Sequence, residues 1–315
     1  MSTSASPAPD RAIETQEATR PGAARMRSLQ WSVCRELWQN RSILIGPLAA
    51  GFILIASFVI GTIAAPERVA GLLTMAAETR HDAVARPYGF AAAMVALGAL
   101  LVSVFYCLGA LQGERVDRSI LFWKSLPVSD TTTVLSKACI PLVVLPLLVL
   151  TVTLGVQAVM LLASTLALIA TGTDPAVLWR ELPLLEMPIA LLYGIGVMTV
   201  IQAPLYAWLL MVSAWARRRA ALWAFLPLLG IGAAEQMVFG RHPRFRDLIE
   251  YLIMGPFARA FAVDPTRAAP PPVIDRIALL DPAAVFGGLG VWIGLGLTAA
   301  FLFIAIRLRR DREPA

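Results

Sequence analysis

The sequence is poor in the side chains that carry chemistry. It has two histidines, His81 and His242, and three cysteines, Cys34, Cys107 and Cys139. The histidines stand singly in stretches that read as loops, without an HExxH pair or a serine partner at useful spacing, so nothing points to a nucleophilic or metal-dependent hydrolase. The cysteines have no CxxC spacing, and the last two lie in or beside apolar runs. They read as packing residues, not as a zinc site or a disulfide framework. Lysine is as scarce: Lys124 and Lys137 are the only two, and neither follows a glycine-rich turn of the GxxxxGK[ST] kind. The chain is therefore expected to hold no metal or cofactor and not to hydrolyse ATP by itself.

Charge is low as well. Charged residues make up 15% of the 315 positions and hydrophobic ones 58%, with a mean hydropathy of +0.70, which excludes a soluble globular domain. The net charge of +6 and pI near 9.7 would suit nucleic acid only if a basic patch were interleaved with exposed aromatics. No such patch occurs, so no nucleic-acid partner is expected; the arginines cluster instead at the ends of apolar runs. No apolar region lies near Met1, so a cleavable signal peptide is not expected and the first span should serve as the targeting signal.

Residues 1–25 have the low-complexity composition of a disordered tail. From Met26 to Arg41, an apolar arc of Met26, Leu29, Val33 and Leu37, flanked by Cys34 and Trp38, faces away from Ser28, Ser32, Arg35 and Gln39. This predicts an interfacial helix. Six runs then approach the ~20 apolar residues that cross a bilayer: 42–64, 89–111, 139–169, 187–215, 221–239 and 284–306. The fold class is all-α, a polytopic membrane protein with a transmembrane domain over 26–306 and a short tail over 307–315. The third and fourth runs are over-long and contain Pro141, Pro146, Pro188 and Pro204, which predicts tilted or kinked helices. Gln157 and Gln202 on these runs are expected to make interhelical hydrogen bonds.

Arginine and lysine set the orientation. The N-terminal tail, the loop bearing Arg115, Arg118, Lys124 and Lys137, the Arg217–Arg218–Arg219 turn and the C-terminal arginines share one side, so both termini should be cytoplasmic. Trp215 and Trp223 flank the triple arginine at headgroup level. The last outer loop, 240–283, carries two short apolar helical faces split at Gly255–Pro256, neither long enough to span.

The stretch Gly113–Ala138, GERVDRSILFWKSLPVSDTTTVLSKA, holds both lysines. Val116, Ile120 and Trp123 form an apolar stripe at i, i+4 and i+7, with Glu114, Asp117 and Lys124 off it and Glu114 four residues before Arg118. Pro127 stops this helix, and Ser129 or Asp130 can cap a second one through Val134 and Lys137. This succession resembles the cytoplasmic loop between the second and third spans of ABC-2 type transporter permeases, the membrane subunits of one class of ATP-driven exporters. The resemblance extends, more weakly, to the order of spans, to an amphipathic helix before the first span and to short helices between the fifth and sixth.

The resemblance implies a permease subunit that forms the translocation path in the cytoplasmic (inner) membrane. It would pair with a second permease copy or paralogue and couple to separate ABC ATPase subunits, which bind the ATP and magnesium. Glu114, Asp117, Arg118, Trp123 and Lys124 would lie on the coupling helix. Glu235, alone among ionisable residues in being well inside a span, is a candidate for the path or a gate, or else a snorkelling or hydrogen-bonding anchor. The alternatives are an ion- or proton-coupled secondary transporter using Glu235, or a membrane scaffold with no transport role.

Overall fold

The computed structural model describes residues 21–113, 129–216, 218–239, 277 and 280–311. Every element among them is helical. In chain order these are α1 (Pro21–Gln39), α2 (Ser42–Ala64), α3 (Pro66–Leu73), α4 (Ala77–Ala110), α5 (Asp130–Cys139), a π turn over Ile140–Val144, α6 (Leu145–Ala170), α7 (Ala176–Glu181), α8 (Glu186–Trp215), α9 (Ala220–Phe239), α10 (Pro282–Phe286) and α11 (Leu289–Asp311). Five helical runs are long and apolar enough to cross a membrane: α2, Thr79–Ala110 of α4, the continuous run Asp130–Ala170, α8 and α11. The protein is a multi-pass membrane protein. Helix α9 is apolar too, with a shorter qualifying stretch of Ala220–Glu235.

Hydropathy finds the apolar middle of each helix, and tertiary contacts decide where it ends. The run read as 42–64 is α2 itself. The run read as 89–111 begins twelve residues earlier: Arg80, His81 and Arg86 lie on a helical extension of α4 and not in a loop. This polar extension is held by α7, where Glu181 accepts from Arg80 Nε at 2.6 Å and the Glu181 carbonyl lies 2.9 Å from His81 Nδ1. At the other end of the chain, α11 starts at Leu289 instead of 284 and runs through Arg307, Arg309 and Arg310 to Asp311, so most of the expected tail is helix. Helix α1 likewise starts inside the expected disordered tail, at Pro21. Residues 240–276, with most of the expected outer loop, lie outside the described residues.

The prolines of the third run are accommodated by widening, not breaking, the helix. Proline has no N–H and its ring crowds the carbonyl four residues back. Between Pro141 and Pro146 the chain adopts a π turn, with Leu145 N–H reaching the carbonyl of Ile140, five residues back. Such turns relieve the clash without ending the helix.

The core runs along the bundle. Ile43, Val95, Cys107, Ile140, Leu145 and Leu209 are buried in its largest cluster, and Val84, Tyr88, Met160, Leu168 and Leu178 form a second one further along. Outward faces remain apolar, with Phe52, Ile63, Phe105 and Leu166 exposed, as a lipid-facing surface requires. Helices α8 and α11 share the most extensive packing. Trp208 meets Phe301 edge-on at 5.4 Å there, and Gly294 approaches Pro204 so closely that a Cβ would lie 3.3 Å from its ring.

Helix α2 is drawn onto its neighbours by two glycines. A Cβ at Gly46 would lie 2.5 Å from Val102 of α4, and one at Gly51 would lie 2.8 Å from Val152 and 3.2 Å from Val156 of α6. Small residues allow this approach, and lipid gives no hydrophobic compensation if the packing is lost. Gly51→Leu is therefore predicted to lower stability by about 1–3 kcal/mol through overpacking. Gly155→Leu, where an added Cβ meets nothing within 4 Å, serves as the neutral control. Thermal unfolding of the purified variants in detergent checks this, and equal midpoints for the two would refute it.

Candidate functional site

The helices alternate in direction, so the bundle has two ends. One gathers α1, the C-terminal ends of α4, α8 and α11 and the start of α5, and carries Arg27, Arg35, Arg41, Lys137, Arg218, Arg219, Arg307, Arg309 and Arg310. At this basic end lie the two points where the chain enters and leaves residues 114–128. The expected coupling residues Glu114, Asp117, Arg118, Trp123 and Lys124 fall within 114–128 and so lie outside the described residues. What the structure describes is the frame that holds that segment.

The entry is held by α8. A helix C-terminus leaves its carbonyls without intrahelical partners. Beyond the end of α4, the fully buried Ser213 hydroxyl donates to the Leu108 carbonyl at 2.9 Å and accepts from the N–H groups of Leu111 (3.1 Å) and Gln112 (3.0 Å). The Gln112 side-chain carbonyl accepts from Ala220 N–H at 3.2 Å, tying the entry to the start of α9 as well. Between α8 and α9 the chain turns through Arg219, which takes a left-handed conformation (φ 53°), and Trp215 and Trp223 meet edge-on at 4.9 Å across the turn.

The exit is held by α1 and α11. Ser129 caps α5, accepting from Thr132 N–H at 3.1 Å, as the sequence suggested. Asp130, in the first turn, accepts from Arg309 Nε of α11 at 3.0 Å. Its negative charge also suits the positive end of the α5 dipole. Two turns further, Lys137 donates to Glu36 Oε1 of α1 at 2.9 Å.

Glu36 is the centre of this frame, and the sequence reading missed it. Its side chain is 1% exposed, and that of Lys137 is 4% exposed. Glu36 Oε1 also faces Arg35 Nη2 at 3.3 Å, and Oε2 accepts from the Tyr106 hydroxyl of α4 at 3.0 Å. Three helices therefore converge on one carboxylate. The expected orientation of α1 is corrected accordingly: Ser32 and Glu36 face the bundle, while Trp31, Cys34 and Trp38 are exposed. Ser32 can be buried because its hydroxyl donates to the Ser28 carbonyl at 2.8 Å, and Val33 and Leu37 flank this stripe and pack on the core. Cys34 is thus not a packing residue; Cys107 is. The signal available in the sequence was the i, i+4 series Ser28, Ser32, Glu36 and Asn40, a polar stripe that can face inward as well as outward.

The remaining sequence candidates are placed elsewhere. Glu235 lies in the last turns of α9, half-buried, at the opposite end of the bundle from Glu36. Gln157 of α6 donates to the Tyr88 carbonyl of α4 at 3.3 Å, an interhelical bond. Gln202 instead accepts from Tyr206 at 2.6 Å within α8, because one turn of the same helix brings that hydroxyl to it. Among the described residues no three His, Cys, Asp or Glu side chains converge as metal ligands would.

A buried ion pair is costly to break from one side, by about 3–5 kcal/mol, because the survivor is left charged and desolvated; replacing both partners with apolar groups is often near neutral. Glu36→Gln and Lys137→Met should each destabilise on that scale, while Glu36→Leu combined with Lys137→Met recovers most of the loss. Unfolding of the single and paired variants measures the coupling, and strictly additive losses would show that the two side chains do not act as a unit.

No protein-family model, curated protein or solved structure matches the chain.

Proposed function

We propose that the chain is the permease subunit of an ABC-2 type exporter, with α9 as its sixth span and residues 114–128 carrying the contact to a separate ATPase subunit. The observation that supports this best is the double anchorage of that segment. Its entry is hydrogen-bonded to α8 and α9, and its exit is ion-paired to α1 and α11. A segment that merely linked two spans would not need buried polar contacts on both flanks. One that receives force from a partner does, since displacement at 114–128 then reaches four other helices through short, directional bonds. Amphiphilic α1, with Trp31 and Trp38 exposed, would lie along the headgroups beside it.

The arginines at the end bearing 114–128 support a cytoplasmic position for that end under the positive-inside rule. Both termini are then cytoplasmic. In a background lacking Cys34, Cys107 and Cys139, single cysteines replacing Ser4 or Arg312 should resist an impermeant thiol reagent in intact cells, while one replacing Ala268 should react. Labelling at both termini would reverse or abolish this topology.

The ATPase contact is tested at Asp117. Charge at a docking surface sets register and partner choice, and like-charge juxtaposition costs several kcal/mol. A single exposed charge contributes about 1 kcal/mol or less to the stability of the chain itself. Asp117→Arg is therefore expected to reach the membrane at the wild-type level and to lose at least about tenfold of the ATPase activity that co-purifies with the tagged chain. Normal co-purification and transport at normal membrane level would place the contact elsewhere.

A further inference from the structure

At the end of the bundle opposite Glu36, a cleft of about 370 Å³ opens between the last turns of α2, the short helix α3, the first half of α4, and α6 and α7. It lies within the ~300–1,000 Å³ range of small-ligand clefts, near the lower limit. Its walls are mostly apolar, with Phe58, Val69, Leu72, Val84 and Leu178 among the lining residues. Two features interrupt them. At the mouth stands Arg68, exposed and without an ion-pair partner among the described residues. Its chain neighbour Glu67 cannot face it along the helix, and Glu181, the nearest acid on α7, is taken by Arg80. Deeper in, Tyr88 is 4% exposed, and its hydroxyl lies beside Ser164 without completing a hydrogen bond. A buried hydroxyl without a formed bond is uncommon in a packed interior and marks a position where a ligand oxygen would be favoured. Gly61, also on the lining, leaves the cleft open: an added Cβ there would meet nothing within 4 Å.

We propose that this cleft binds one acyl chain of an anionic phospholipid, with the phosphate on Arg68 and an ester oxygen accepting from Tyr88. The apolar walls disfavour a free inorganic anion, because a hydrated ion would gain one cation and lose water against hydrocarbon. The lone guanidinium disfavours a neutral or zwitterionic lipid relative to an anionic one, since it pairs with phosphate and leaves no second cation in need of balance. The volume is too small for two chains. The site is independent of the exporter reading, because it lies away from the 114–128 frame and its test reads lipid contact, not transport.

The full chain is reconstituted in phosphatidylcholine nanodiscs doped with photoactivatable phosphatidylglycerol or, separately, with photoactivatable phosphatidylcholine carrying the reactive group on the acyl chain. Cross-linked peptides are then mapped by mass spectrometry. Adducts are expected on residues 58–72, with a preference of about five-fold for phosphatidylglycerol, the Boltzmann equivalent of the ~1 kcal/mol that one basic side chain contributes at an anionic bilayer surface. Arg68→Gln should equalise the two lipids without removing the adducts. Gly61→Leu should remove them at unchanged thermal stability, and added inorganic phosphate should leave them in place. Equal labelling by both lipids in the wild type, adducts that survive Gly61→Leu, or displacement by inorganic phosphate would each overturn the assignment.

Discussion

A carboxylate that is 1% exposed cannot remain charged in an apolar surround without partners, and this constraint at Glu36 organises the described structure. Lys137, Arg35 and Tyr106 occupy both of its oxygens, and they come from α5, α1 and α4. None of the three helices can leave without stranding a buried charge or hydroxyl. The cost of separation is thus concentrated in a few directional bonds instead of being spread over apolar area, and it is highest at the end of the bundle where 114–128 begins and ends. Arg309, itself buried against Asp130, extends the same constraint to the last helix.

Away from this end the packing has a different character. Along α9, Ala220 and Ala224 are the buried residues among the side chains described, and both lie at its start. Beyond them Leu226, Leu229 and Met237 are exposed, and the helix is fastened mainly near its first turns, where Trp208 Nε1 donates to the Ala224 carbonyl at 3.4 Å and Trp215 meets Trp223. The bundle is therefore tied by polar contacts at the basic end and by methyl-scale contacts, such as those of Gly46 and Gly51, through its middle.

How much of this could be read from sequence follows from the range of each interaction. Apolar run length is a local property, and the run at 42–64 coincides with a helix. The Ser129 cap is local too, resting on one hydroxyl and an N–H three residues on. The stripe that carries Glu36 is local, but its inward direction is not, because the residue that makes the burial tolerable, Lys137, is 101 positions away. Hydropathy scores both as surface residues. The same holds for Arg309, which reads as part of a basic tail until Asp130 is brought beside it, and for the polar start of α4, where Arg80 and His81 meet Glu181 about a hundred positions on. Gln202 failed in the opposite sense: a partner within its own helix satisfied a side chain that seemed to need another.

The π turn at Ile140–Val144 does more than admit two prolines. An α-helix advances about 100° per residue, and a turn that closes on the fifth residue instead of the fourth inserts one extra step into the rotation. Val149 stands twelve residues beyond Lys137, roughly 120° off its face on an uninterrupted α-helix, and the extra residue in the turn takes back roughly 100° of that, so Lys137, Pro141, Leu145, Val149 and Thr153 follow one another along a single buried face. One continuous rod thereby presents, on one side, a polar edge at one level and an apolar edge at the next. The alignment of these two edges is set by the length of a single five-residue turn, which makes the residue count between Lys137 and Leu145, more than their identity, the quantity this rod holds fixed.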